Sequence, residues 1–357
     1  MSILYHLVKT VIMELVDISE NVSLAGHSTM RLGGNARYLA SVTSDEEIQK
    51  LVAWAKSKNL KFIMIGQGSN IVWRDEGFDG LVMVNKIPGK EILSQDDGLA
   101  TIKLNAGENW DASVAWTVEQ GFSGLEFLSL IPGTVGAAPV QNIGAYGGEL
   151  SQTLKEVGVY DTKNDSFESI LASGCDFSYR NSRFKSGDKG RYMITHIVLR
   201  LKKSPPGPPF YESLQKYLDD NNVHDYTPAS IRQAVIDIRS SKLPDPAVVA
   251  NNGSFFTNSF VSKAKFDDLR QTYPEIKGWP AGDDRVKLAA GWLVEQAGFR
   301  GVHDAQTGMA TYDKQALVLV NEHAKTTADL LAFKQKIVDK VQAMFGVDLQ
   351  QEPELLP

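Results

Sequence analysis

Residues 125–149 limit what this chain can fold into more than any other stretch. They are dense in Gly, Pro, Ala, Asn and Gln and show neither a helical nor a strand period. Connections longer than about 12–15 residues are uncommon in a compact domain unless they are functional or disordered. Leu128, Ile131, Val135 and Ile143 give this one apolar side chains that a disordered tract lacks, so a ligand-binding loop is expected. Glycine and alanine let a flat or phosphorylated ligand approach the backbone. Gln141, Asn142 and Tyr146 add donors and acceptors that can read a heteroaromatic edge.

A second glycine loop stands upstream. Residues 61–65 read as a buried strand running into Gly66-Gln67-Gly68-Ser69-Asn70. A dinucleotide-binding Rossmann turn needs a third glycine and a helix that follows at once. Here Ile71-Val72-Trp73 reads as strand, so that fold is excluded. Two readings stay open for the loop alone: a nest of backbone amides for a phosphate, or a tight β-turn.

The surrounding pattern is mixed. Residues 38–42 and 80–84 read as strands. Ser44 with Glu47 predicts a capping box for a helix carrying Ile48, Leu51, Val52 and Ala55 on one face. A helix is predicted over 110–120, stopped by Gly121. The prolines of 204–209 predict a stiff arm. Thr227 before Pro228 predicts an N-cap and first turn, with Ile231, Val235 and Ile238 inward and an end before Pro244. A second α/β segment follows over 251–321. The last helix is expected over 327–345, with Leu330, Leu331, Phe333, Ile337, Val341 and Phe345 at helical spacing.

Composition then removes whole classes. A chain of 357 residues exceeds one comfortable core, so two or three domains are expected. With 37 basic and 43 acidic residues its net charge is −6, which disfavours nucleic acid and anionic membranes as partners. Cys175 is the only cysteine, so no internal disulfide, redox pair or multi-thiolate metal site can form; it reads as a small buried hydrophobe. His196 and His303 have no ligand spacing, and no metal is expected. Residues 3–18 are interrupted by His6, Lys9, Glu14 and Asp17, so neither a membrane span nor a signal peptide is expected. A cytoplasmic compartment is expected, with a poorly ordered amphipathic tail before a second possible start at Met13.

Taken in order, six motifs resemble the UDP-N-acetylenolpyruvoylglucosamine reductases, flavoenzymes that complete UDP-N-acetylmuramate for peptidoglycan. They are Gly66-Gln67-Gly68-Ser69-Asn70, the Ile131 to Gly147 block, Cys175-Asp176-Phe177-Ser178-Tyr179-Arg180-Asn181-Ser182-Arg183-Phe184-Lys185, Arg239-Ser240-Ser241-Lys242-Leu243-Pro244-Asp245-Pro246, Gly253-Ser254-Phe255-Phe256-Thr257-Asn258, and Lys287-Leu288-Ala289-Ala290-Gly291-Trp292-Leu293. The resemblance runs from about Ser28 to Glu354. It implies NADPH-dependent reduction of FAD, then hydride delivery to the enolpyruvyl group of a UDP-sugar. By the same resemblance, Gly66, Gln67, Gly68, Ser69, Asn70, Ile131, Pro132, Gly133, Gly136, Ala137, Gln141, Asn142, Ile143, Ala145, Tyr146 and Gly147 would hold FAD. Arg180 matches the catalytic arginine, Ser254 the proton donor and Glu354 the catalytic glutamate. Tyr211 resembles the tyrosine that closes over the substrate. Lys242, Asn258, Arg300 and Gln315 align with diphosphate, uridine or sugar contacts. Arg239 and Lys287 fit equally as ligand contacts or structural ion pairs, and Trp292 as core.

The chain departs from the family pattern at one place. Members continue Pro-Glu-Val-Arg, whereas this sequence reads Pro353-Glu354-Leu355-Leu356, so the arginine that would help hold FAD is absent. The implied fold is α+β: a two-part flavin domain of the vanillyl-alcohol-oxidase (PCMH) type plus a C-terminal α/β substrate-binding domain. The expected boundaries are an extension over 1–21, a FAD-binding βαβ part over 22–86, a second FAD-binding part over 87–243 rejoined by 346–357, and a substrate-binding domain over 244–345. A monomer is expected. Two rivals remain at this point, an oxidase of the same flavin fold and a catalytically silent flavin- or UDP-sugar-binding protein.

Overall fold

The computed structural model describes residues 17–357, so the expected N-terminal tail and the start at Met13 lie outside the described residues. The chain divides into two compact units. Of the described residues, the first comprises those up to Val22, Ala36–Gln67 and Phe78–Ser241; the second comprises Ser23–Asn35, Gly68–Gly77 and Lys242–Pro357. Residues 346–357, expected to rejoin the flavin part, fall in the second unit, and so do residues 68–77.

The first unit opens with β1 (Ile18–Ser23) and β2 (Asn35–Val42), then α1 (Asp45–Ser57) and β3 (Lys61–Ile65). The chain next supplies β4 (Ile71–Trp73) to the second unit and returns as β5 (Phe78–Asn85). The sheet order is β1-β2-β5-β3, and β5 runs parallel to both β2 and β3. Ile48, Leu51, Val52 and Ala55 of α1 bury in one cluster with Val42, Leu81 and Met83. The capping box is only half formed. Ser44 Oγ accepts from the Glu47 N–H, but the Glu47 carboxylate reaches past the cap to the Thr43 N–H at 2.6 Å.

An antiparallel sheet of order β11-β10-β12-β7-β6 follows. It contains β6 (Lys90–Gln95), β7 (Leu99–Asn105), β10 (Leu154–Asp161), β11 (Ser166–Leu171) and β12 (Tyr192–Lys202). Alternation along β7 sends Ala100, Ile102 and Leu104 inward, the period a one-sided sheet demands. Between β7 and β10 come α2 (Trp110–Glu119) and the long loop. The loop is a chain of short 3-10 turns with one two-residue hairpin, β8 (Gly144–Ala145) against β9 (Gly148–Glu149).

Two helices close the unit. α4 (Pro228–Lys242) is as expected, capped by Thr227 Oγ1 on the Ser230 N–H at 3.1 Å. α3 (Glu212–Asp220) is not visible in the sequence pattern, because only Leu214 and Leu218 mark its face. These bury with Ile231, Val235 and Ile238, and Phe127, Tyr146, Phe210 and Tyr226 pack around the group.

The second unit holds α5 (Lys263–Thr272), α6 (Ala290–Gln296) and α7 (Thr327–Phe345). Its larger sheet has the order β13-β19-β18-β17, from β13 (Ala250–Ser254), β17 (His303–Asp304), β18 (Met309–Tyr312) and β19 (Gln315–Asn321). A smaller sheet pairs β14 (Phe260–Ser262) and β15 (Gly278–Pro280) with β16 (Arg285–Leu288). α7 spans the expected residues. Leu330, Phe333, Ile337, Val341 and Phe345 are buried, at roughly 1.5–3 kcal/mol each. That face outweighs its N-cap, which is worth about 1 kcal/mol. Trp292 packs beside Tyr273 and Phe345, the core role expected for it. The last strand, β20 (Glu354–Leu356), runs parallel to β4.

Candidate active site

In the first unit the long loop is laced to the turn before α2. Val135 N–H donates to Glu108 O, Gly136 N–H to Ala106 O, Trp110 N–H to Gly133 O, and Trp110 Nε1 to Leu128 O. These bonds fix Ile131, Pro132, Gly133, Gly136 and Ala137 as one rigid edge. Gly136 tolerates no side chain, since a Cβ there would stand 2.7 Å from Ala106 Cβ. Gly66 is equally confined, with a Cβ position 2.3 Å from Thr134 Oγ1, so the two predicted flavin segments of this unit touch.

Strain concentrates here. Of the ten non-glycine residues with positive φ among the described residues, Leu130, Asn142 and Tyr146 lie in the loop and Arg180 is the predicted catalytic arginine. Such conformations cost about 1–2 kcal/mol and persist only where surroundings enforce them. Asn142 is held from three sides: its Nδ2 donates to Glu149 Oε2 and Ser178 O, and its Oδ1 accepts from the Ser151 N–H. Asn142 is therefore a scaffold residue of the loop. Ile143 is buried in the unit's core cluster, with Ala145 against it.

Arg180 Nη2 donates to Gly144 O at 2.8 Å, and its guanidinium lies 5.2 Å from the Tyr179 ring centre. The predicted arginine is thereby tied to the middle of the predicted flavin block. Tyr211 is exposed, at the start of α3, and meets Tyr146 edge-on with ring centres 6.2 Å apart. Burial raises the Tyr146 hydroxyl above its usual pKa. Beside it lies Arg239, whose pKa burial lowers and whose buried Nε has no hydrogen-bond partner among the described residues. The nearby carboxylate of Asp111 is instead gripped by Arg232 through two bonds of 2.6 and 2.9 Å.

In the second unit the remaining half of the upstream loop meets the Glu354 strand, and Ser254 stands on a neighbouring segment. Gly68 has φ +72 and lies against His27 O, a position open only to glycine. Glu354 N–H donates to Asn70 O at 2.9 Å, the first rung of the β20–β4 pair, so the backbone of Glu354 is held beside the loop. Ser254 ends β13 opposite Val318, after Gly253 at φ +70. The next residue, Phe255, accepts from the Glu352 N–H through its carbonyl, which ties the Ser254 and Glu354 segments edge to edge.

The predicted substrate contacts are more dispersed. Lys242 is exposed where α4 ends. Asn258 Oδ1 accepts from the Ala290 N–H and so caps α6. Arg300 bonds Glu295 and Asp313 O, and Gln315 Oε1 takes the Leu317 N–H. Lys287 lies 5.9 Å from the Trp279 ring centre. Cys175 is fully buried, its thiol pushed up to about 11 by burial. Among the described residues no group of three or more His, Cys, Asp or Glu could hold a metal. No helix among them is long and apolar enough to cross a membrane.

Sequence reading missed Asn252. Its Nδ2 donates to Thr29 Oγ1, Ser69 O and Ile71 O, while its Oδ1 is buried without a partner. The Asn252-Gly253 dipeptide, a turn signal, was the available clue. Each orphan lies in its own unit beside a glycine-lined loop: Arg239 offers a donor and Asn252 an acceptor, and FAD carries groups that could meet either kind.

Fold and site together define a FAD-binding domain joined to a second α/β unit. A model of the FAD binding domain matches residues 36–165, which contain every expected flavin residue. A model of the UDP-N-acetylenolpyruvoylglucosamine reductase C-terminal domain matches residues 245–356, which contain Ser254 and Glu354. The UDP-N-acetylenolpyruvoylglucosamine reductase of Alcanivorax borkumensis is 44% identical over 338 residues, 95% of this chain and 96% of that one. The enzyme of the same name from Burkholderia orbicola is 41% identical over 335 residues, 93% and 95% of the two chains. The crystal structure of UDP-N-acetylenolpyruvylglucosamine reductase from Thermus caldophilus shares the fold, with a TM-score of 0.65 at 22% identity over 96% of this chain and all of that one. The chain belongs to the UDP-N-acetylenolpyruvoylglucosamine reductase family.

Proposed function

We propose that this chain reduces the enolpyruvyl double bond of UDP-N-acetylglucosamine enolpyruvate to give UDP-N-acetylmuramate for peptidoglycan, with NADPH as reductant. The observation that carries this reading is the identity of 44% across 95% of the chain to a reductase so named. FAD, when bound, supplies the hydride. The 16 loop residues from Gly66 to Gly147 named above would hold it. Tyr211, Lys242, Asn258, Arg300 and Gln315 would take the sugar nucleotide. The substrate is a small molecule, and we place the reaction in the cytoplasm, in a monomer.

Hydride arriving at the terminal carbon leaves enolate charge next to the substrate carboxylate. Arg180 suits that charge, because guanidinium stays protonated and can grip a planar oxyanion with two bonds. Its tie to Gly144 O supports a preset orientation, which costs no reorganisation when charge develops. Ser254 would donate the proton that completes the reduction. A hydroxyl is a weak acid and works only from a fixed position, and the constrained turn at Gly253 supplies one. Glu354, held to Asn70 O through its backbone, would deliver or replace a proton beside the same loop.

Anaerobic stopped flow tests the reading. NADPH should bleach the flavin absorbance, and the enolpyruvyl sugar nucleotide should restore it. Colour that returns in air but not with this substrate identifies an oxidase instead. Ser254→Ala should keep NADPH bleaching within about twofold and slow recovery by roughly 10²–10⁴-fold, the range for removing a general acid. Equal loss in both halves removes Ser254 from the proton-donor role.

A further inference from the structure

The pairing of β13 with β19 is irregular between Asn251 and Ser254: Asn251 faces Val320 while Ser254 faces Val318. Three steps on one strand thus oppose two on the other, and Gly253 at φ +70 absorbs the extra residue. Bulges of this kind re-aim a side chain next to a site. The side chain re-aimed here is Asn252, only 6% exposed.

Its amide orientation is fixed by chemistry. Ser69 O and Ile71 O are carbonyls and can only accept, so the group 3.2 and 3.3 Å from them is the NH2. Oδ1 therefore points away from these carbonyls, and no donor among the described residues meets it. A buried acceptor without a donor carries a desolvation penalty, and native proteins retain few of them. The loop does not depend on this amide alone. Ile71 O also accepts from Ser28 Oγ at 2.7 Å, and Ser69 O from Thr29 Oγ1 at 3.5 Å.

We infer that Asn252 Oδ1 accepts a hydrogen bond from bound FAD, making Asn252 a cofactor-binding residue alongside the Gly68–Asn70 segment. The inference rests on the FAD-dependent reading above. The chemistry required is an N–H or O–H donor, and FAD offers two kinds, the flavin N3–H and the ribityl hydroxyls. A donor from FAD is favoured over one from the sugar nucleotide because the same amide holds the carbonyls that flank the glycine loop.

The test measures FAD binding to the apoprotein by flavin fluorescence, with no turnover involved. Asn252→Ala should weaken FAD roughly tenfold, while the apoprotein's unfolding midpoint moves little. N3-methyl FAD and a deoxyribityl FAD distinguish the sources: one of them should bind wild type about tenfold more weakly than FAD does. The variant should bind that analogue and FAD alike. Analogue binding to wild type keeps the inference open to refutation even if the variant does not fold, because one analogue must lose affinity. Neither analogue losing affinity overturns the inference, and the orphaned oxygen then binds water only. Unchanged FAD affinity with a raised KM for the sugar nucleotide overturns it too, assigning the donor to the substrate. Failure of wild type to bind FAD at all would instead overturn the reading on which the inference rests.

Discussion

Gly144 and Arg180 show how narrowly single residues are specified here. Gly144 carries no left-handed strain, yet a Cβ on it would stand 3.0 Å from Glu149 Cγ, 3.1 Å from Gly148 O and 3.2 Å from Arg180 Nη1. All three contacts are tight, and the guanidinium is the neighbour most able to give way. Gly144→Ala should therefore shift Arg180 by a few tenths of an ångström while leaving the buried loop in place. Misplacement of about 1 Å can cost 10²-fold in rate, so a loss of roughly tenfold in kcat is expected, with FAD affinity near wild type. Steady-state kinetics beside a flavin titration checks this. A variant that loses FAD in proportion to kcat removes the argument for an effect through Arg180.

At the scale of elements, the segment around β4 ties the second unit together. Asp75, two residues past β4, accepts from the Thr327 and Ala328 N–H groups at 2.7 and 2.9 Å, and Trp73 O accepts from Thr327 Oγ1. α7 thus has two caps, its own Thr326–Asp329 box and a carboxylate from a distant segment. Asp75→Ala should lower stability by about 1–2 kcal/mol through lost N–H partners and lost charge at the helix start. In urea that reads as a lower midpoint with an unchanged slope. A shift no larger than that of an exposed control such as Asp79→Ala would show that the box alone suffices. The helix itself was legible, because apolar period and cap signal agree over residues 327–345. The same holds for β3 and β4 around the glycine loop. What stayed hidden depends on long-range pairing. The bulge at Asn252 exists only against Val320 and Val318, and α3 is defined by the α4 face it meets. The assignment of residues 68–77 to the second unit likewise follows from contacts made far along the chain. At the site, residue types and order were readable, but Arg300, Asn258 and Gln315 sit in bonds that no motif announces.

For the molecule as a whole, acid should act first through His196. This histidine lies on β12 opposite Gly158, and a Cβ at 158 would stand 2.0 Å from its ring. Burial, and then the charge of Lys103, bring its pKa down from 6.5 to about 4. The sign follows from proton counting. Between pH 6.5 and about 4 the unfolded chain binds a proton at this position and the folded chain does not, so stability falls as pH drops through that window. Below about 4 both states are protonated and the contribution levels off. The slope should be about 1 kcal/mol per pH unit or less, since partial exposure lets solvent screen the ring. Asp161 acts in a lower window. The bonds from Arg191 draw its pKa down to about 2, so the stability it provides is lost only as pH falls from about 3.9 toward 2. Urea midpoints between pH 7.5 and 4.5, at fixed FAD because bound ligand adds to apparent stability, should fall for wild type. His196→Gln should flatten that fall in the transition of the first unit. An equally steep decline in the variant would place the acid-sensitive group elsewhere.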